Sequence, residues 1–299
     1  MHIDICVCTF RRPSIDAAMR SLSRQIVPAG VTLGLIIADN DETPSARERV
    51  EALAGDLSIP VAYLHAPARN ISIARNACLD AARGDWVAFF DDDEIAPADW
   101  VGKLYKKAVD DDLDAVFGPA IAQYGEDTPD WIRDKDYHSN WPERRGRQVQ
   151  TGHTCNAMIR LDAASVSGQR FLLEKGRTGG EDTEFFFRIW RAGARLGIAD
   201  DAIVYEPVDP ARLNFRWIMT RKYRSGISYG RHSLGARSLP ARLGLFIKAG
   251  AKCLVSLAMS AATAWSAVRR NYWVLRAGFH AGVCSSVFQV KERELYGTA

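Results

Sequence analysis

Residues 86–94 read Trp-Val-Ala-Phe-Phe-Asp-Asp-Asp-Glu, an apolar run that ends abruptly in four acids. A short run of aromatic and β-branched residues suits a strand buried on both faces, as in the middle of a parallel sheet. Side chains alternate along a strand, so Asp91 and Asp93 share one side. Two carboxylates so placed suit one hard divalent cation, with water and phosphate oxygens completing its octahedron. The alternative is an acidic turn whose charges favour the start of a helix near Pro97. Asp110-Asp111-Asp112 has no buried run before it, and reads as a solvated helix end.

Working outward, residues 3–8, 33–38 and 61–64 read as further strands, and 14–23, 45–53 and 72–82 as helices between them. Strands alternating with helices predict an α/β fold with a mainly parallel sheet covered on both faces. Polar residues collect just after the strands: Thr9 and Arg11, then Asp39, then Asp91 to Glu94. In open α/β sheets that carboxyl edge is where ligands bind. Neither GxxxxGK[ST] nor GxGxxG follows a strand, so a P-loop NTPase and an ordinary dinucleotide dehydrogenase lose their main support. A nucleotide held here needs metal and side chains for its phosphates.

Two more clusters carry chemistry. In Gly179-Gly180-Glu181-Asp182-Thr183-Glu184, two glycines permit a tight turn and an acidic pair opens an amphipathic helix. Asp182 there is equally readable as a helix N-cap or as a general base held by a rigid helix start. In Arg221-Lys222-Tyr223-Arg224, guanidinium forks suit a diphosphate or lipid phosphate, or simply an exposed basic helix.

The chain has 299 residues, 47% hydrophobic and 25% charged, which excludes disordered, collagen-like and disulfide-scaffold classes. Its net charge of +3 conceals polarity: residues 211–291 hold 14 Lys or Arg and no acid, whereas the preceding part is net negative. An uncharged run, residues 253–268, is framed by Lys252 and Arg269-Arg270. It is short for a span and suits an interfacial helix or shallow hairpin, with Tyr272, Trp273 and Arg276 at the headgroup level. The competing reading is a helical pair packed on the main domain, with Trp265 and Phe279 in its core. The polar stretch 123–150 reads either as an acceptor-side loop whose Trp131 and Trp141 stack on sugar, or as an excursion pinned by two buried tryptophans. Met1 to Phe10 reads as a strand and not a signal peptide, which predicts a cytoplasmic protein. Six scattered cysteines predict free thiols, and His153-x-Cys155 is treated as a chance metal spacing.

Taken together, CVCTFRRP, IIADND, RNISIARNACLDAARGDWVAFFDDDEIAPADW, TGHTCNAMIR, TGGEDTEFFFRIWRAG and RKYRSG resemble the family 2 glycosyltransferases of GT-A fold. They are most similar to bacterial exopolysaccharide enzymes of the succinoglycan glucosyltransferase type. The resemblance covers residues 1–232, expected to form the catalytic domain, with 233–299 a basic, apolar helical region for interfacial membrane attachment.

The resemblance implies roles. Thr9, Arg11 and Asp39 fall where the family holds the nucleoside of a sugar nucleotide, usually UDP. Asn70, Arg75 and Asn76 fall in its segment near uridine and diphosphate, with Ser72 in place of the commoner Gly. Asp91 and Asp93 match the carboxylates that position the donor through Mg²⁺ or Mn²⁺, with Asp92 as the middle, nucleotide-binding member. Asp182 matches the base, with Glu181 beside it. Gly152 and Asn156 lie in a segment lining the acceptor side, although His153 to Cys155 interrupt its commoner short form. Arg221 and Arg224 are expected to meet acceptor or donor phosphates.

These roles imply an inverting transfer of glucose from a UDP-sugar to a hydroxyl of a polyprenyl-diphosphate-linked saccharide, giving a β-linkage. The expected place is an anionic membrane surface, the cytoplasmic face of the inner membrane. The alternative of another class is a non-catalytic GT-A-like scaffold in a polysaccharide assembly complex. Nucleic acid is excluded as a partner by the aliphatic runs between the basic residues and by the acidic body.

Overall fold

The computed structural model describes residues 1–144, 146–234 and 238–288. Arg237 and everything beyond residue 288, parts of the expected membrane segment, lie outside the described residues. Among the described residues the chain divides into two compact units: Met1–Ala122 with Ser139–Pro207, and Gln123–His138 with 208–288.

The first unit is built on β1 (His2–Thr9), α1 (Ile15–Leu22), β2 (Thr32–Asp39), α2 (Arg47–Ala54), β3 (Val61–His65), α3 (Ile71–Ala81) and β4 (Trp86–Asp91). There follow α4 (Trp100–Asp110), β5 (Ala115–Phe117) and β6 (Ala120–Gln123), and α5 (Asp130–Arg133) of the other unit intervenes. The first unit then resumes with β7 (Asn156–Arg160), α6 (Glu181–Arg191), β8 (Leu196–Ile198) and β9 (Val204–Pro207). The main sheet runs β3-β2-β1-β4-β7-β5-β8, and β6 pairs with β9 separately. Only β7 among these seven runs against its neighbours, so the sheet is mixed and mainly parallel.

The two-residue period of β1 divides the core between the sheet's faces. Ile3, Ile5 and Val7 face α1, α2 and α4, joining Met19, Leu22, Val50, Trp100 and Leu104. Cys6 points the other way, into a layer holding Cys78 and Leu79 of α3 and Phe185, Phe186 and Ile189 of α6. An aromatic chain ties α6 to the sheet: Phe185 stacks on Phe171 at 4.3 Å, Phe171 meets Phe89 of β4 edge-on at 5.6 Å, and Phe186 meets Phe117 of β5 at 4.6 Å. Each such buried ring contributes about 1.5–3 kcal/mol by leaving water.

Parallel register brings the strand ends together. Thr9 is opposite Asp39, and Cys8 is opposite Asp91, so the polar residues after β1, β2 and β4 gather at one carboxyl edge. The acidic run at 110–112 ends α4 as a solvated cap, with Lys106 paired to Asp110 and Lys107 to Asp111 one turn apart. All six cysteines are free thiols.

The second unit holds α5, α7 (Phe215–Leu234), α8 (Leu239–Ala262) and α9 (Ala267–Ser286). Ile132, Tyr137, Ile218 and Leu275 form its buried centre. Glycines let α7 and α9 touch: a Cβ at Gly226 would lie 2.0 Å from the Phe279 carbonyl oxygen, and one at Gly282 1.9 Å from that of Tyr223. The uncharged run 253–268 spans the turn between two helices, because α8 ends at Ala262 and α9 starts at Ala267, so of the two forms expected for it the helical hairpin is the one the chain adopts. Trp265, between them, is 79% exposed and is therefore no core residue, whereas Phe279 packs against Tyr229. Of the two expected tryptophans, Trp131 packs on Tyr137 and Phe215, but Trp141 of the first unit is 55% exposed.

Candidate active site

β4 delivers Asp91 half-buried at its end, and the chain turns through Asp92 and Asp93 to a fully buried Glu94. Burial pushes the Asp91 carboxyl up to about 7; Arg75 opposes this, while Asp93, Asp92 and Glu206 add to it. Burial likewise raises Asp92 to about 6, against the pull of Arg12 and of Thr9, whose Oγ1 donates to Asp92 Oδ2 at 2.7 Å. Glu94 accepts the Asp91 N–H at 3.1 Å through Oε2, and its Oε1 has no hydrogen-bond partner among the described residues. Arg12 pairs with Asp93 and lies 3.8 Å from Asp92, so it partly neutralises the cluster. Among the described residues no group of three or more His, Cys, Asp or Glu is placed to hold a metal. Asp91 and Asp93 nevertheless fit a hard divalent cation: they are oxygen donors in an electron-rich, partly desolvated cluster, and such ions complete their shell with phosphate and water.

The second acidic cluster opens α6. Gly179 and Gly180 take φ of 90° and 82°, where a side chain would be strained, and Gly180 occupies the cap. Asp182 is therefore inside the first turn and is not the N-cap. Its Oδ1 accepts the Thr183 N–H at 2.6 Å and the Thr183 hydroxyl at 3.3 Å, and His153 Nδ1 lies 3.0 Å from Oδ2. Burial pushes this carboxyl up, yet His153, Arg75 and Thr183 together carry it down to about 2, so it is ionised at neutral pH.

Arg75 links the two clusters. It is buried, donates through Nη1 to Glu181 Oε1, lies 5.7 Å above the Phe171 ring, and acts electrostatically on Asp91 and Asp182. The Cys155 thiol, raised first by burial, is raised further by Glu94, Asp91 and Asp182. The two acidic clusters thus converge on one region of the first unit, although about ninety residues separate them in the chain.

Other expected residues do different work. Asp39 is fully buried and accepts from the N–H groups of Asp41 and Ala46 and from the Tyr63 hydroxyl, at 2.8–3.0 Å. Arg11 has a φ of 54° and donates to Asp41 at 2.7 Å. Asn70 caps α3 by accepting from Ser72 N and Ile73 N, and donates to the Leu173 carbonyl. Asn76 exchanges two bonds with the Phe171 backbone, and Ser72 donates to the Leu172 carbonyl. Both asparagines thus fasten the loop after Arg170. Asn156 is buried with every side-chain polar atom bonded inside the fold, to Trp100, Pro119 and Ala202. Gly152 is where a Cβ would fall 2.2 Å from the Phe117 ring. Arg221 and Arg224 lie on α7 of the second unit, with the Arg221 guanidinium 5.4 Å above Trp217.

Sequence reasoning did not assign Arg12, Asp41 or His153. Arg12 and Asp41 adjoin assigned residues, and only the turn geometry shows which side chain faces the carboxylates. His153 carried as its local signals the His153-x-Cys155 spacing, set aside as chance, and its place in the Thr-Gly-His-Thr-Cys-Asn stretch, neither of which points to Asp182.

The mixed, mainly parallel sheet, with paired aspartates after a central strand and a second acidic cluster at the start of α6, agrees with the GT-A glycosyltransferase class that the motifs resemble. Residues 4–167 match the family model "Glycosyl transferase family 2", and the chain belongs to that family. It is 44% identical over 298 residues, 99% of this chain and 96% of the relative, to "Succinoglycan biosynthesis protein ExoM" of Rhizobium meliloti (strain 1021). Two solved structures, at 18% identity, share the fold. Mannosyltransferase PcManGT of Pyrobaculum calidifontis, in complex with GDP-Man and Mn²⁺, aligns at TM-score 0.62 over 97% of this chain and 88% of its own. S. aureus TarS 1–349 in complex with UDP aligns at 0.53 over 97% and 92%. In a longer TarS structure the chain spans 52% of that protein.

Proposed function

We propose that this hexosyltransferase moves glucose from UDP-glucose to a hydroxyl of a polyprenyl-diphosphate-linked saccharide during synthesis of a succinoglycan-type exopolysaccharide, with inversion to a β-linkage. The observation that carries the reading is the convergence of Asp91 and Asp182, bridged electrostatically by Arg75. The ExoM relative supports the pathway, and the TarS complex with UDP supports the donor class.

Asp182 takes the proton of the acceptor hydroxyl as that oxygen attacks the anomeric carbon from the face opposite the diphosphate. Its ionised state is what a base requires. Asp91 and Asp93 would hold the divalent ion, Mg²⁺ or Mn²⁺, which when bound supplies counter-charge for the departing diphosphate. Thr9 orients the carboxylate turn through Asp92, and Arg75 holds Glu181 so that the start of α6 stays in place.

Membrane attachment rests on α8. Leu239, Leu243, Ile247, Leu254 and Leu257 share one helical stripe and are each about half or more exposed. The helix is long and apolar enough to cross a membrane, with a mean hydropathy of 1.5. The basic residues Arg242, Lys248 and Lys252 accompany it, and Arg221 and Arg224 of α7 offer forks to lipid phosphate. On this reading the enzyme works at the cytoplasmic face of the inner membrane, where its acceptor would be carried.

The test is a thermal-shift panel of nucleoside diphosphates with and without Mn²⁺, followed by transfer from UDP-sugars to a lipid-linked acceptor. A metal-dependent rise with UDP is expected. No rise with any nucleotide, in folded protein, would overturn the reading.

A further inference from the structure

Asp182 is held by more than its own neighbour. Thr183 occupies Oδ1 from within the helix, but Oδ2 meets His153 Nδ1, 29 residues away in sequence, at 3.0 Å. A carboxylate only accepts hydrogen bonds, so this contact places the proton on Nδ1. The loop carrying His153 is itself anchored. Gly152 approaches the Phe117 ring so closely that a Cβ would fall 2.2 Å from it, Thr154 is buried, and Thr151 Oγ1 donates to the Thr183 carbonyl at 2.9 Å. Residues 151–153 thus clasp the first turn of α6 twice, once on its backbone and once on the Asp182 carboxylate.

We propose that His153 is a positioning residue for Asp182, fixing the rotamer in which the second lone pair of Oδ2 receives the acceptor's proton. The inference rests on the assignment of Asp182 as base made above. In the step itself the acceptor O–H breaks and its proton goes to Asp182. The acceptor oxygen bonds to the anomeric carbon, and the bond from that carbon to the diphosphate oxygen breaks with its electron pair on UDP. His153 keeps its Nδ1 proton throughout. Among the described residues, the charged and titratable groups that act on Asp182 include His153 and Cys155 from the segment before β7, Arg75 from α3, and Glu181 on α6. His153 is the one that hydrogen-bonds the carboxylate directly among these.

The test compares His153→Ala, His153→Asn and His153→Leu in the full chain. The amide nitrogen of Asn takes the place of Nδ1 and can donate, whereas Leu has similar size and cannot. The expected result is a fall in kcat of about 10- to 100-fold for Ala and Leu, with UDP affinity and UDP-induced stabilisation within about 2-fold of wild type. Asn should retain most of kcat, and in an Asp182→Asn background His153→Ala should change kcat less than about 2-fold. The proposal is overturned if Leu keeps wild-type kcat, if Asn is as impaired as Leu, or if UDP affinity falls in parallel with kcat. If Ala fails to fold, the Asn and Leu pair decides the matter. A wild-type chain that binds UDP but transfers no sugar would remove the role of Asp182, and this role with it.

Discussion

Arg75 and Glu181 meet as a buried ion pair across 106 residues of sequence, one from the middle of α3 and the other the first residue of α6. Neither helix could hold its charge alone at that depth. The pair is the electrostatic joint between the strand-end aspartates and the helix that carries Asp182.

Removing one partner strands a charge in a low dielectric, which is why broken buried pairs are so damaging. Arg75→Met or Glu181→Leu alone should lower unfolding free energy by about 3–5 kcal/mol. The double substitution should recover much of the loss, since both charges leave together. Urea unfolding of the two single variants and the double variant checks this, and a double variant no better than either single would contradict it.

Asp182 and the strand-end pair should separate in kinetics. Asp182→Asn should reduce kcat by at least about 100-fold while leaving UDP affinity within a few-fold. Asp93→Asn should weaken metal-dependent UDP binding as well as turnover. Calorimetric titration of UDP with Mn²⁺ on each variant distinguishes the two roles, and a large loss of UDP binding in Asp182→Asn would count against the base.

His138 of the second unit predicts a pH dependence of stability. Burial, then Arg221 and Arg212, lower its pKa to about 4, against a bond to the Arg212 carbonyl that raises it. Between about 6.5, the ordinary value, and 4, the unfolded chain binds more protons than the native one. The His138 contribution to stability should therefore fall as pH drops through that window, while the raised Asp91 and Asp92 carboxyls act the other way with or without His138. His138→Phe, which keeps a ring against Trp217, stacked 5.2 Å away, should flatten the fall. Unfolding midpoints across pH 4–7 for the two proteins provide the measurement.

The exposed stripe of α8 should govern membrane retention. Replacing Leu243, Ile247 and Leu254 together with Gln removes about 1.5–3 kcal/mol of burial per side chain at the lipid boundary. Flotation with anionic vesicles should show the wild type bound and the triple variant largely free, with turnover on a soluble acceptor unchanged. Equal binding of both would detach α8 from the membrane.

The carboxyl-edge architecture was legible because alternation and β-branched content are local signals. Strands near residues 3, 33, 61 and 86 and the helices between them appear where their patterns stand. The acidic clusters were legible for the same reason: Asp91 and Asp182 each sit at a boundary marked by composition. Neighbourhood along the chain does not show the partners of a polar side chain. Asp39, Asn70, Asn76 and Asn156 stand where polar residues are expected to meet ligand, yet loops and buried backbone groups claim their hydrogen bonds. Nothing local distinguishes an asparagine that faces a nucleotide from one that fastens a loop 95 residues away.

The sequence by itself determined the periodicities, the acid-rich ends of the apolar runs, the charge polarity between the two parts, and the family. Those are properties of neighbours along the chain, and 3.6- and 2-residue periods suffice to read them. Tertiary structure alone decided that Arg75 lies between two acidic clusters, that Arg12 turns toward Asp93, and that His153 reaches Asp182. Sheet order and helix packing set these contacts, because Coulomb forces and hydrogen bonds depend on distance in space and are indifferent to separation along the chain.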